Sequence, residues 1–224
     1  ENARDATAAW LRALCAQHGL GGRVRVATEG VNATVSGSAR ELDAFQATLS
    51  TTEGWHSVLF KREPCTSHQL WPALSCWTAD ELCGFGADAA TRSELDKVGP
   101  GVLLEPRAFR ARMMEKDAVL VDVRNAYETT IGAFPGALDP KTRTFADFRQ
   151  WLQKDETRSA LKDKDVLMYC TGGVRCERAT AALRAALPEA ERDRVFHLKG
   201  GIVSYMDEGL EGFEGANYVF DRRN

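Results

Sequence analysis

The chain has 224 residues, 44% of them hydrophobic and 27% charged, with a formal net charge of −3. That length accommodates two domains of ordinary size, and the charge excludes a strongly basic nucleic-acid binder, while leaving room for one positive face. No apolar run is long enough to span a bilayer. Six cysteines in a chain this long do not make a secreted disulfide scaffold, so reduced thiols and a cytoplasmic location are expected. The sequence starts at Glu1 and not at Met. It therefore reads as an excerpt, with upstream targeting, organellar included, left open.

Ala3 to Gln17 has helical periodicity, with Trp10, Leu11 and Leu14 on one side, and Gly19, Gly21 and Gly22 end it. Arg23 to Ala27 alternates like a half-buried strand. Glu29-Gly30 reads as a tight turn into a second strand, Val31 to Val35. Ser38 is an N-cap for a helix from Ala39 to Leu49, with Leu42, Phe45 and Leu49 at core spacing. Trp55 to Phe60 is expected to be a strand. Helix, hairpin, helix and strand in that order fit a ferredoxin-like half-sandwich over residues 1–63. Residues 64–99 hold Pro72, several glycines and few long apolar patterns, and are expected to be the interdomain linker. Cys65, Cys76 and Cys83 fall here without any C-x-x-C pair, and His56 and His68 form no cluster with them. No metal and no cofactor are expected.

From residue 100 to 224 strands and helices alternate. Strands are expected near Val102, at Val119 to Val123, Val166 to Tyr169 and Arg194 to Leu198. Helices are expected at Pro106 to Met114, between Thr144 and Leu161, and from Glu177 to Leu187. The expected fold class is α/β: an open, mostly parallel sheet flanked by helices, preceded by the small α+β domain. In such sheets reactive loops gather beyond the carboxyl ends of the strands, where Asp122, Arg124 and Cys170 all fall.

The segment Cys170-Thr-Gly-Gly-Val-Arg-Cys176 concentrates the chemistry. A buried strand delivers Cys170 into a loop of Thr171, Gly172, Gly173, Val174 and Arg175, at the start of a helix. Unpaired N–H groups and the positive dipole end there favour a thiolate, and Arg175 adds its charge. The glycines let the loop curl so that its N–H groups face the sulfur. The C-x-x-x-x-R spacing is one residue shorter than the loop of cysteine phosphatases, which suits a terminal sulfur or a small adduct on Cys170. An inert core cysteine would not need two glycines and an arginine directly after it. Asp122, Arg124 and Arg178 are candidates for a supporting role, the first two through charge pairs beside the loop. Arg178 also reads as ordinary surface. Cys176 is read as a packing residue turned away from the loop, with a resolving thiol as the alternative. His197 is expected to be a core histidine.

Further stretches carry a resemblance. Val119-Leu-Val-Asp-Val-Arg124, Tyr127-Glu128 with Gly132-Ala-Phe-Pro-Gly-Ala137, and Val195 to Ile202 resemble the rhodanese domain, whose loop cysteine carries a persulfide. Ala133 replaces the histidine many of those domains have. Cys170 to Ala179, His197 to Ile202, Tyr218-Val-Phe-Asp-Arg222 and Gly22 to Gly37 together resemble the tRNA wobble-uridine hydroxylase family, which joins an acylphosphatase-like domain to a rhodanese domain. Glu29, Gly30 and Asn32 match its N-terminal motif, but the anion-binding arginine loop that acyl-phosphate hydrolysis needs is not identifiable. The family has one more strand ahead of the first helix and a basic run where this chain has Leu74 to Cys83. The missing strand implies an N-terminal truncation, and the missing charges weaken the case for tRNA more than the case for thiol chemistry. The resemblance implies oxygen-dependent hydroxylation of a tRNA uridine. Two alternatives stand: a sulfurtransferase that loads Cys170 from a small sulfur donor, and a non-catalytic RNA- or protein-binding module.

Overall fold

A computed structural model describes residues 3–58 and 60–220. The chain forms two compact units: one runs to Leu82 and also takes in Val219 and Phe220, and the other is Cys83–Tyr218.

The first unit contains helix α1 (Ala3–Gln17), strands β1 (Gly21–Ala27) and β2 (Gly30–Ser36), helix α2 (Ala39–Thr51) and strand β3 (Leu74–Thr78). Strand β1 is central, antiparallel to β2 and parallel to β3. Its alternation decides the faces. Val24 and Val26 are buried with Leu11 and Leu14 of α1 and Phe45 and Leu49 of α2. Arg23 and Arg25 lie on the opposite face, level with Ser75 and Trp77 of β3. There the Arg23 guanidinium stacks 4.4 Å over the Trp71 ring and that of Arg25 5.3 Å over Trp77. Ser38 caps α2 with the reciprocal Glu41 bond that its spacing implies.

Two expectations are corrected here. Trp55 to Phe60 is not a strand: its described residues are turn and irregular backbone, Leu59 lying outside them. Trp55 N–H closes a turn onto the Thr52 carbonyl, and the indole packs on Trp10 at 5.1 Å. The sheet position assigned to it is not taken by this segment, whose apolar side chains find partners without pairing. Residues 64–99, expected to be the interdomain linker, are divided between the units instead, with β3 in the first and helix α3 (Ala89–Val98) in the second. Leu74 and Cys76 alternate into the first core, a period of 2 too short to stand out beside Pro72 and the acidic Asp80-Glu81.

The second unit continues with β4 (Val102–Leu104), α4 (Pro106–Met113), β5 (Ala118–Asp122), α5 (Ala126–Thr129), β6 (Gly132–Ala133), α6 (Phe145–Leu152), α7 (Asp155–Leu161), β7 (Asp165–Tyr169), α8 (Val174–Ala186), β8 (Val195–Leu198), α9 (Gly201–Asp207) and β9 (Glu214–Gly215). Four strands form the expected parallel sheet in the order β4-β8-β7-β5. Strands β6 and β9 pair separately. All of β7 is buried, and its side chains divide between two cores. Val166 and Met168 join Val121, Phe148 and Ala179 on one face. Leu167 and Tyr169 join Phe109, Phe134, Ile202 and Tyr205 on the other. Each such side chain stabilises the fold by roughly 1.5–3 kcal/mol through area removed from water. This double burial fixes the register, because a one-residue slip would exchange every side chain between the cores.

Candidate active site

The same alternation aims Cys170. One residue past β7, it continues the Val166–Met168 series and its side chain enters the core shared with α8. Helix α8 starts at Val174, earlier than the Glu177 read from the sequence, so the helix N-terminus abuts the cysteine loop directly. Gly173 makes this start possible. It takes φ 92 as the helix N-cap, and its N–H donates to Cys170 Sγ at 3.1 Å. A side chain there would be strained by the backbone and would sit 3.2 Å from the Gly200 nitrogen.

A second helix holds the loop from the other side. Ile202 N–H donates to the Cys170 carbonyl at 3.0 Å and Val203 N–H to the Thr171 carbonyl at 3.2 Å. Gly201, at φ 65, is what lets α9 come this close. A Cβ on it would lie 2.4 Å from the Cys170 carbonyl oxygen and 2.6 Å from that of Thr171.

Arg175 is anchored by a residue that sequence reasoning left outside the site. Glu128, wholly buried, accepts from Arg175 Nη1 at 2.5 Å and Nη2 at 2.7 Å, and from Thr171 Oγ1 at 2.8 Å. Its other partner is the Asn125 N–H at 3.2 Å, in the capping box of α5. The signal for Glu128 was present in the Tyr127-Glu128 match, but nothing in the spacing said that it would meet an arginine so far along the chain. Although burial raises the Glu128 carboxyl, its bonds to Arg175, Thr171 and Asn125 outweigh that and hold its pKa below the usual range. Arg175 stays protonated: burial opposes the charge, and Glu128 and Cys170 more than offset the penalty.

Cys170 is 1% exposed. Burial alone would push its pKa up. The Cys176 thiol donating to its sulfur, the Arg175 charge, and the Arg175 and Gly173 N–H groups reverse the sign and bring it from 9.0 down to about 5. At neutral pH the group is a thiolate held ready as a nucleophile. Cys176 therefore departs from the sequence reading. It is fully buried in the same core as Cys170, close enough that each thiol shifts the other's pKa. The first turn of α8, starting at Val174, carries its side chain back over the loop.

The remaining candidates separate. Asp122 and Arg124 pair with each other through Nη2–Oδ2 at 2.7 Å and Nε–Oδ1 at 2.9 Å, both buried. Arg124 Nη2 also donates to the Gly132 carbonyl at 2.6 Å, tying the end of β5 to β6. Arg178 reaches Asp96 of α3 at 2.8 Å, joining two helices. Gly172 and Val174 supply loop backbone. His197 is a core histidine, 3% exposed, with Nδ1 unpartnered and burial driving its pKa down to about 4. Tyr218, from the C-terminal motif, packs its ring on Tyr127 at 5.3 Å, while Asp221 and Arg222 lie outside the described residues. Among the described residues no group of three or more His, Cys, Asp or Glu could hold a metal ion, and no helix is long and apolar enough to cross a membrane.

Comparison with known proteins matches the two units separately and the whole chain together. Residues 2–78 match the UPF0176 acylphosphatase like domain and residues 105–208 the rhodanese-like domain. The tRNA uridine(34) hydroxylase of Jannaschia sp. is 34% identical over 98% of this chain and 70% of its own length. This chain belongs to the tRNA uridine(34) hydroxylase family. Other hydroxylases of the family include those of Agrobacterium fabrum, 35% identical over 94% of this chain, and of Rhizobium leguminosarum, 35% over 96%. The chain spans 64% and 67% of their lengths, about two thirds. The Cys170 loop lies within the rhodanese-like match, and the buried Glu128–Arg175 pair braces it.

Proposed function

We propose that this protein hydroxylates the wobble uridine of tRNA at the base, with dioxygen as the oxygen source and the Cys170 thiolate as the reactive group. The observation that carries the reading is the Cys170 sulfur at the N-terminus of α8, 3.1 Å from the Gly173 N–H in a loop that also holds Arg175, surroundings that draw its pKa down to about 5. That cradle is built for an anionic or polarised adduct on sulfur. Because Cys170 is 1% exposed, a nucleobase reaches it only when the surrounding wall opens.

The N-terminal sheet supports RNA as the substrate. Its helix-free face presents Arg23 and Arg25, each stacked on an indole. Guanidinium planes of this kind offer charge to phosphate and a flat surface to an unstacked base. They answer in part the basic run that Leu74 to Cys83 lacks. A cytoplasmic location follows from a tRNA substrate and reduced thiols.

The deciding experiment is nucleoside mass spectrometry of tRNA from a strain lacking its own hydroxylase and complemented with the full-length protein. Restored 5-hydroxyuridine derivatives, lost again with Cys170→Ala, are expected. Their absence with the wild-type protein overturns the proposal. The short loop favours one second reading, sulfur transfer through a Cys170 persulfide. Thiosulfate-dependent thiocyanate formation from cyanide, abolished in Cys170→Ala, would select it.

A further inference from the structure

The proposed reaction leaves the Cys176 thiol unused, although it is buried against the reactive sulfur. The backbone between the two cysteines is tightly curled. Gly173 N–H lies 3.1 Å from Cys170 Sγ, and Cys176 N–H donates to the Gly173 carbonyl at 3.2 Å. Cys176 thus lies in the first turn of α8, whose N-cap Gly173 touches Cys170 Sγ, its side chain tilts back toward that end of the helix, and both thiols are buried in one core. A disulfide would bring the two sulfurs to ~2.05 Å within this single turn of chain.

We propose that Cys176 is the resolving thiol of Cys170, and that the two form a reversible disulfide when a peroxide oxidises Cys170. In the first step the Cys170 thiolate attacks hydrogen peroxide. The O–O bond breaks, sulfur gives up an electron pair, a proton is taken up, and sulfenic acid and water result. In the second step Cys176 sulfur attacks the sulfenic sulfur. The S–O bond breaks, the oxygen leaves as water carrying the Cys176 proton, and the S–S bond forms. A dithiol reductant then delivers two electrons and two protons and restores both thiols.

The surroundings time the second step. In the resting site Cys176 is kept protonated by burial, then by the neighbouring Cys170 anion and its charge and by the Asp122 charge, while Arg175 pulls the other way. Oxidation of Cys170 removes the anion, and with it two of the four effects that hold the proton, leaving burial and the Asp122 charge. The Arg175 charge remains and then favours a Cys176 thiolate. Cys176 is thus quiet until its partner is oxidised. The disulfide would shield Cys170 from sulfinic and sulfonic acid and switch off its nucleophile meanwhile. The inference rests on the sulfur pair and is independent of the substrate the loop serves.

Peptide mapping tests it on the reduced full-length protein. After one equivalent of hydrogen peroxide, free thiols are alkylated and the protein is digested with trypsin without reductant. Cleavage after Lys164, Arg175 and Arg178 puts the two cysteines on separate peptides, 165–175 and 176–178. The expected product is these two peptides joined, two hydrogens lighter than their sum and separated by dithiothreitol. Cys176→Ser should instead accumulate Cys170 sulfenic acid, trapped by dimedone, and reach the sulfinic acid several times faster. The proposal is overturned if wild-type Cys170 becomes sulfinic while Cys176 stays alkylatable. It is equally overturned if Cys170 pairs with Cys83, the partly exposed cysteine whose charge also acts on Arg175. Should Cys176→Ser not fold, the wild-type map alone decides.

Discussion

Replacing Cys176 by alanine removes the strongest of the influences that lower the Cys170 pKa. The shift from 9.0 to about 5 represents a preference for the thiolate on the order of 5 kcal/mol. A hydrogen bond to a charged group contributes about 1.5–3 kcal/mol of such a preference. Its loss should therefore raise the Cys170 pKa by roughly 1–2 units, with Arg175 and the loop N–H groups holding the rest. Serine at the same position keeps a donor of similar reach and should leave the pKa close to that of the wild type. The assay is the ultraviolet absorbance of the thiolate titrated against pH, with Cys170→Ser as the blank for the other five thiols. An alanine variant that titrates with the wild type would refute this account of the thiolate. A serine variant that titrates with the alanine variant would show that packing, not hydrogen bonding, is what position 176 contributes.

Three further outcomes are expected. Glu128→Gln breaks a buried bidentate pair with Arg175 and should cost about 3 kcal/mol by urea unfolding, discounted little because Arg175 is only 13% exposed; a loss below about 0.5 kcal/mol would show that water takes over the role. Gly201→Ala forces a methyl to within 2.4 Å of the Cys170 carbonyl, so α9 should withdraw from the loop and the Cys170 pKa should climb; an unchanged titration would mean that α9 does not shape the site. His197 has its folded pKa lowered from 6.5 to about 4 by burial, so the unfolded chain binds its proton first, and stability present above pH 6.5 should fall by about 3 kcal/mol as pH drops towards 4. Cys170 acts in the same direction higher up, its contribution full above pH 9 and lost as pH falls towards 5. An acid limb in the stability curve unchanged by His197→Gln would count against the first of these assignments.

The parts of the molecule that could be read in the sequence are those set by local chemistry. Ser38 and Glu41 announced a capping box, and Val166 to Tyr169 announced a buried strand, because cap chemistry and apolar runs act over a few residues. The Cys170 loop was legible for the same reason. What escaped was decided by distant partners. Leu74–Thr78 became a strand because β1 offered it a parallel edge. Glu128 became part of the site because folding brings α5 beside the loop, 47 positions from Arg175. Cys176 was read as a packing residue in the first turn of the helix, and it is buried there beside Cys170; which neighbour its thiol would meet depends on how α8 packs, which local spacing does not give.

The glycine pair ahead of α9 has a wider consequence. A trans peptide plane is two-ended, with its oxygen and its N–H pointing opposite ways. By taking the Cys170 and Thr171 oxygens, the Ile202 and Val203 amides clamp two of the loop's peptide planes in one sense, leaving their hydrogen ends turned away from α9. The loop becomes a polarised ring, with two of its oxygens neutralised on the α9 side and the Gly173 N–H turned to Cys170 Sγ. Such a ring discriminates by sign before it discriminates by shape: it lowers the energy of an anion on Cys170, whatever that anion is, and offers nothing to a neutral or cationic adduct. Substrate identity must then be imposed from outside the ring, by surfaces that decide what reaches it.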